Sequence, residues 1–246
     1  MLSVILITRN EEKNLRRCLK SLPRHDSLIV VDSQSSDQTV SIAKEFGAQV
    51  TVRAFTDYAE QKNACLDRVK TGWVFSIDAD EELDSLLRGE IEAVCYGNAR
   101  KQEAFRVLRR QFFLGRLLRF GKTQSRPLRL FRKNGGRFSG RIHEEVLTGE
   151  GPVGFLNGMM IHHSYPTLSE YFMKFNEYTS KASPGKNKGR IVLNQLRFWP
   201  EFIYRYFFCL GFLDGFSGYS YALLSSFYHW VKYLKRYERL TRERSL

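Results

Sequence analysis

Two aspartates separated by a single residue, Asp78-Ala79-Asp80, stand directly after the apolar run Trp73 to Ile77. Carboxylates that emerge where a strand ends are hard oxygen ligands, and Mg²⁺ or Mn²⁺ held in this way keeps positions open for phosphate oxygens. The natural complement is a diphosphate leaving group, whose growing negative charge a bridging cation stabilises. Glu81 and Glu82 follow at once, so the plainer alternative is that Asp80 only opens a helix. Asp32 offers another carboxylate, at the end of the apolar run Leu28 to Val31. Behind it Ser33, Ser35, Asp37 and Thr39 carry side chains suited to a base or a ribose, while Ser36 or Asp37 is placed to cap the next helix.

The elements that must position these groups read as alternating strands and helices. Ser3 to Ile7 and Leu28 to Val31 are short, β-branched apolar runs, as expected of strands buried on both faces. Between them Asn10 can cap a helix, Glu11 and Glu12 suit its first turn, and Leu15, Cys18, Leu19 and Leu22 form its apolar stripe before Pro23. The pattern repeats with a helix from about Asp37 to Phe46 ending at Gly47 and a strand from Gln49 to Arg53. A helix from about Tyr58 to Val69 and the strand Trp73 to Ile77 complete it. Such alternation predicts a parallel, doubly wound sheet with ligands beyond the carboxyl ends of the strands. Thr8, Asn10 and Glu11, then Asp32 to Asp37, then Asp78 to Asp80 fall at those ends. After Glu103 the pattern becomes irregular, with Phe105 to Leu108 and Leu128 to Phe131 as strands.

A chain of 246 residues, 43% apolar and 14% aromatic, buries enough surface for one globular domain with an appendage. The four cysteines stand apart without metal-ligand spacing, which excludes a zinc-finger or disulfide-framework reading and fits a reducing compartment. The apolar stretch Met1 to Thr8 is too short for the core of a signal peptide. The net charge of +13 has a local origin: no acidic residue lies between Glu103 and Glu144, where twelve Lys and Arg side chains do. A polyanionic partner accounts for such asymmetry, and a solvated basic face is the alternative. From Phe198 to Tyr237 there are sixteen of the thirty-four aromatic side chains, interrupted by Glu201, Arg205 and Asp214. Both an interfacial, membrane-lying segment and a pair of helices packed on a core or another subunit fit that composition.

Four blocks in order, Leu2 to Asn14 (LSVILITRNEEKN), Ile29 to Thr39 (IVVDSQSSDQT), Glu60 to Ala64 (EQKNA) and Val74 to Glu82 (VFSIDADEE), resemble family-2 glycosyltransferases of the GT-A fold. The resemblance implies an α/β, Rossmann-like, mostly parallel sheet flanked by helices, with a C-terminal helical aromatic-rich region. Carried across by position, Thr8 and Glu11 line a nucleotide pocket with Asn10 and Ser35 beside them, and Asp32 bonds the base. Lys62 lies near base or phosphate, Asp78 approaches the ribose and Asp80 ligates the metal. The family often has Arg where Lys62 stands, and the two are not interchangeable. Arg129-Leu130-Phe131-Arg132 and Gly140-Arg141-Ile142-His143-Glu144-Glu145 are similar to the RLFR and HE segments of a subgroup of these enzymes. Gly211 to Gly215 (GFLDG) resembles lipopolysaccharide-core β-1,4-glucosyltransferases acting on inner-core heptose.

The expected protein is therefore a metal-dependent inverting hexosyltransferase using Mg²⁺ or Mn²⁺, a UDP-sugar donor and a lipopolysaccharide-core acceptor. It is expected in the cytoplasm, peripheral to the cytoplasmic face of the bacterial inner membrane. Residues 1–165 form the GT-A domain, with a nucleotide-sugar half at 1–100 and an acceptor half at 101–165; residues 166–246 form the docking region. Inversion requires a base on the acceptor hydroxyl, for which Glu144 is the candidate and Glu145 the alternate, with His143 orienting it. His162 or His163 touches the metal or diphosphate, and Arg126, Arg129, Arg132, Arg141 and His143 are the acceptor or anion contacts. A polyprenyl-phosphate glycosyltransferase would share the donor half yet need no base. A nucleic-acid-binding or scaffold protein is the reading from another class, against which stand the strand-end carboxylates and the lack of a recognition module.

Overall fold

In β1 (Leu2–Thr8), Leu2, Val4 and Leu6 enter one apolar cluster and Ile5 enters another, so the period-two alternation of a strand feeds both faces of a sheet. This computed structural model describes residues 1–97, 101–140, 145–149, 151–165, 167–181 and 197–242, with only the backbone of Glu145. Parallel to β1 lie β2 (Ser27–Asp32) on one side and β4 (Trp73–Asp78) on the other, with β3 (Gln49–Val52) outside β2. Three helices connect them: α1 (Glu12–Lys20), α2 (Thr39–Glu45) and α3 (Tyr58–Leu66). Leu15, Cys18 and Leu19 of α1 join the first cluster, and Ala64, Cys65 and Leu66 of α3 join the second. Each large apolar side chain so buried stabilises the fold by roughly 1.5–3 kcal/mol.

The order β3-β2-β1-β4 reverses direction between β1 and β4, which opens the ligand crevice of such sheets at the carboxyl ends of those two strands. Beyond β4 the sheet changes sense. β9 (Leu128–Arg132) runs antiparallel to β4, and β6 (Ala104–Phe113) antiparallel to β9. β12 (Val153–Tyr165) follows β6, and β5 (Glu81–Leu83) closes the edge antiparallel to β12. The parallel sheet expected from the sequence is thus the first half of a mixed one. Among the described residues from 101 to 165 no helix is present to carry a parallel crossover.

Local capping differs from expectation in two places. Asn10 does not cap α1: its backbone is left-handed, at φ 54°, and its Oδ1 accepts from the Ser36 amide at 2.9 Å. Asp80 does not open a helix, because it sits in the turn between β4 and β5. Asp84 instead caps α4 (Ser85–Tyr96), accepting from the Leu87 amide at 2.7 Å. Asp57 caps α3 in the same way, through the Glu60 amide.

The chain forms two compact units, Met1–Arg110 with Ser125–His163, and Gln111–Gln124 with Ser164–Leu246. Residues 111–124 group with the C-terminal helices rather than with 1–165, because Phe113 and Leu118 pack with Tyr171 and Phe175. A two-residue turn at Leu114 and Gly115, both at positive φ, folds the end of β6 back onto β7 (Arg116–Leu117). The helices of this unit are α5 (Leu168–Lys181), α6 (Phe198–Ile203) and α7 (Gly215–Arg242). Its core is made of rings: Phe175 stacks on Phe227 at 5.8 Å, and Tyr171 meets Tyr165 edge-on at 4.8 Å.

Candidate active site

The parallel register puts Thr8 beside Asp32 and Ile7 beside Asp78, so the polar ends of β2, β1 and β4 arrive at one level. At the β1–β2 end Asp32 is 1% exposed and held by three local hydrogen bonds. It accepts from the Thr8 hydroxyl at 2.9 Å, the Ser35 amide at 2.8 Å and the Ser35 hydroxyl at 2.5 Å. The Ser35 hydroxyl oxygen also accepts from the Asn10 amide at 2.8 Å, and Thr39 accepts from the Glu11 amide at 2.7 Å. Asn10 and Gln34 both adopt left-handed backbone, a conformation held only where surrounding bonds over-determine it. Thr8, Asn10, Asp32 and Ser35 therefore form one fixed loop pair, with Glu11 tied to it through Thr39.

At the β1–β4 end Asp78 lies between two cations. Its Oδ1 meets Lys62 Nζ at 2.9 Å, and its Oδ2 accepts from Arg129 Nη2 at 2.6 Å. Burial opposes the charge on Asp78, but Arg129 and Lys62 overcome it and hold the carboxyl well below the usual carboxylate range. Arg129 also donates to Glu81 Oε1 at 2.7 Å. Glu81, which is inaccessible to solvent, receives Arg109 as well at 3.3 Å, and its Oε2 accepts from the Asp78 amide at 3.0 Å. Glu81 is the organising residue that reading the sequence missed. Its neighbours in sequence made it look like part of a helix start, and its partner Arg129 stands 48 residues away.

The third side comes from β12, whose register with β5 sets His162 opposite Glu81. His162 Nε2 then lies 3.4 Å from Asp80 Oδ2, which brings together the two residues expected to touch a metal. His163 points elsewhere: it bonds Glu82 at 2.9 Å, and burial, helped by Arg17, pushes its pKa down despite that carboxylate. A carboxylate and an imidazole so placed fit a divalent cation that takes most of its ligands from a diphosphate and water. Among the described residues no group of three or more His, Cys, Asp and Glu forms a closed metal cage.

Several described cations of the basic block are engaged within the first unit. Arg129 is 5% exposed and committed to internal carboxylates, which corrects its expected role as an anion contact. Arg132 stacks on the Trp73 ring at 4.1 Å and Arg126 lies over Phe155 at 5.8 Å, so both are also partly engaged. Lys62, expected at base or phosphate, is buried against Asp78. Arg141, His143 and Glu144 lie outside the described residues. Of Glu145 only the backbone position is given, in β11 (Glu145–Leu147) opposite Ser139 of β10 (Arg137–Ser139).

This α/β sheet with its acidic turn at the switch point is the architecture of GT-A glycosyltransferases, and residues 3–99 match the pattern of glycosyl transferase family 2. The chain is 31% identical over 258 residues to the lipopolysaccharide core biosynthesis glycosyltransferase LpsC of Rhizobium meliloti, covering 97% of this chain and 92% of LpsC. It belongs to glycosyltransferase family 2. An uncharacterised glycosyltransferase of Rickettsia typhi is 28% identical over the whole of this chain and 89% of its own length. Among solved structures, glucosyl-3-phosphoglycerate synthase from Mycobacterium tuberculosis with Mn²⁺, UDP and product aligns at a TM-score of 0.45. The identity is 19%, over 70% of this chain and 75% of that one.

Proposed function

We propose that this glycosyltransferase moves a hexose, with glucose from UDP-glucose the first donor to test, onto a sugar hydroxyl of the lipopolysaccharide inner core with inversion at the anomeric carbon. The observation that carries the reading is the approach of His162 to Asp80 at the carboxyl end of β4, beside the Thr8–Asp32–Ser35 loop pair. The similarity to LpsC, a lipopolysaccharide core biosynthesis glycosyltransferase, supports the choice of acceptor. Asp80 and His162 would hold a Mg²⁺ or Mn²⁺ ion, which when bound supplies positive charge against the departing diphosphate. Asp78, kept ionised by Lys62 and Arg129, accepts from a ribose hydroxyl, and the loop pair fixes the nucleoside. Glu144, or Glu145 in its place, takes the proton of the acceptor hydroxyl as its oxygen bonds the anomeric carbon. The bond from that carbon to the diphosphate breaks, and UDP leaves. With such an acceptor the enzyme works at the cytoplasmic face of the inner membrane.

Calorimetric titration with UDP, with and without Mn²⁺, tests the donor site. Metal-dependent binding that disappears in Asp80→Ala is expected; equal binding by the variant, or none by the natural protein, would overturn the assignment. Glu144→Gln is expected to bind UDP normally and to lose transfer to a core-sugar acceptor. Undiminished transfer to that acceptor would pass the role of base to Glu145, whereas transfer to a polyprenyl phosphate and none to the core sugar would favour a phosphate acceptor, which needs no base.

A further inference from the structure

The C-terminal unit exposes its two most accessible rings, Phe208 and Phe216, at one bend. α6 continues through a π-helical turn, Tyr204–Phe208, and after a break at Cys209 and Leu210 the chain resumes as a 3₁₀ turn, Gly211–Asp214, leading into α7. The two helical arms meet at 72°, and among the described residues no single helix is long and apolar enough to cross a membrane. The bend is tightly built. A Cβ on Gly218 would fall 2.1 Å from the Gly211 carbonyl oxygen, and one on Gly211 2.8 Å from that of Arg205. Around this closed hinge Phe208 is 76% exposed and Phe216 77%, with Phe207, Phe212 and Leu213 each more than 40% exposed, and Trp199, at the far end of the first arm, is 64% exposed. Fixed exposure of that many rings is costly in water and marks a surface meant to be covered.

Charge says what covers it. The exposed side chains of Arg116, Arg119 and Lys122 stand at the same bend. Arg116 reaches the Leu213 carbonyl oxygen at 3.5 Å, and Lys122 lies over the Tyr204 ring at 5.5 Å. Arg116, Arg119, Phe120, Leu213 and Asp214 line a cleft of about 430 Å³ there. Residues 111–124 and 197–237 contain only two carboxylates, Glu201 and Asp214, and both are spent internally. Glu201 pairs with Arg205 at 2.7 Å, while Asp214, 2% exposed, accepts the amides of Arg119 and Phe120 at 2.8 Å each. An apolar rim edged by cations and cleared of exposed carboxylates complements a surface that is oily inside and anionic outside.

We propose that the bend at Phe207–Phe216 inserts into the headgroup region of an anionic bilayer while Arg116, Arg119 and Lys122 hold lipid phosphates. This does not depend on the transfer reaction above. Sedimentation of the full chain with vesicles of phosphatidylcholine, alone or mixed with phosphatidylglycerol, tests it. Binding only to the mixed vesicles is expected, weakening as salt shortens the screening length from about 10 Å to about 3 Å. Trp199 emission, read in a Trp230→Phe background because Trp230 is itself 38% exposed, should shift to the blue, a change to which buried Trp73 cannot contribute. The Phe208→Ser/Phe216→Ser variant should lose at least about tenfold in vesicle affinity. Arg116→Gln/Arg119→Gln/Lys122→Gln should lose about a hundredfold. Unaltered circular dichroism and melting show that both variants remain folded. Equal binding to neutral and anionic vesicles, or no vesicle binding, overturns the proposal. A dimer that Phe208→Ser/Phe216→Ser dissociates, without vesicle binding, would assign the face to a second copy of the chain.

Discussion

The two units solve the same problem, burial, with different materials. In Met1–Arg110 with Ser125–His163 the core is mainly aliphatic, built from strands with helices packed on them, and buried charge falls in two places, Asp32 within its loop pair and the network in which Arg129 joins Asp78 to Glu81. In Gln111–Gln124 with Ser164–Leu246 the core is a cluster of rings carried on helices, and its buried carboxylate, Asp214, bonds backbone amides rather than a cation. An ion network ties distant strands together and fixes charged groups for chemistry. A carboxylate that caps amides fixes only the shape of a turn. The first unit is therefore the one in which a charge-preserving change should disturb the transfer chemistry, and the second the one in which loss of a core ring or a cap should disturb structure and leave that chemistry alone.

The largest effect that would break this contrast is on activity. Asp80→Ala should lower transfer by about a thousandfold or more while leaving the melting temperature nearly unchanged. Next comes Arg129→Leu, which leaves Glu81, without solvent access, only the longer contact to Arg109 and should cost roughly 3–5 kcal/mol in urea unfolding. Arg129→Lys should recover only part of that, because a single ammonium cannot serve both carboxylates in the same geometry. Asp214→Ala leaves two amides without their acceptor and should cost about 1–3 kcal/mol, read as a loss of near-ultraviolet dichroism with UDP binding retained. If Asp214→Ala abolished UDP binding, the separation of roles would fail.

The smallest effect is on pH. Burial lowers the pKa of His229 in α7 below its ordinary 6.5, although Glu201 pulls the other way. The unfolded chain then takes up a proton that the folded chain resists, so this contribution is complete above pH 6.5 and is lost as pH falls below it. His229→Gln should flatten the melting temperature over that range, and an unchanged slope would assign the effect to another group.

The first unit was the more legible because aliphatic runs with helical stripes between them have few alternative packings. β1, β2, β4 and the position of Asp78 and Asp80 at a strand end follow from the runs Ser3 to Ile7, Leu28 to Val31 and Trp73 to Ile77. The pairing of His162 with Asp80 was within reach of a reading by residue type. Arg129 was not: a block of twelve cations looks like a surface for an anion, and only the antiparallel seat of β9 on β4 turns that side chain inward to Asp78 and Glu81. Asn10 shows the same limit on a smaller scale, since a left-handed backbone at that position converts an expected cap into a tie to Ser36.

What the sequence determined by itself is local and periodic: which segments become strands or helices, which carboxylates fall at strand ends, and that the tail is aromatic and short of acid. Those properties depend on neighbours a few residues apart. The tertiary structure decided which charges cancel, where His162 stands relative to Asp80, and that the tail bends at Gly211 with its rings outward. These are set by contacts between residues far apart in the chain, where one register of strand pairing or one close approach of glycines selects among partners that composition alone leaves equivalent.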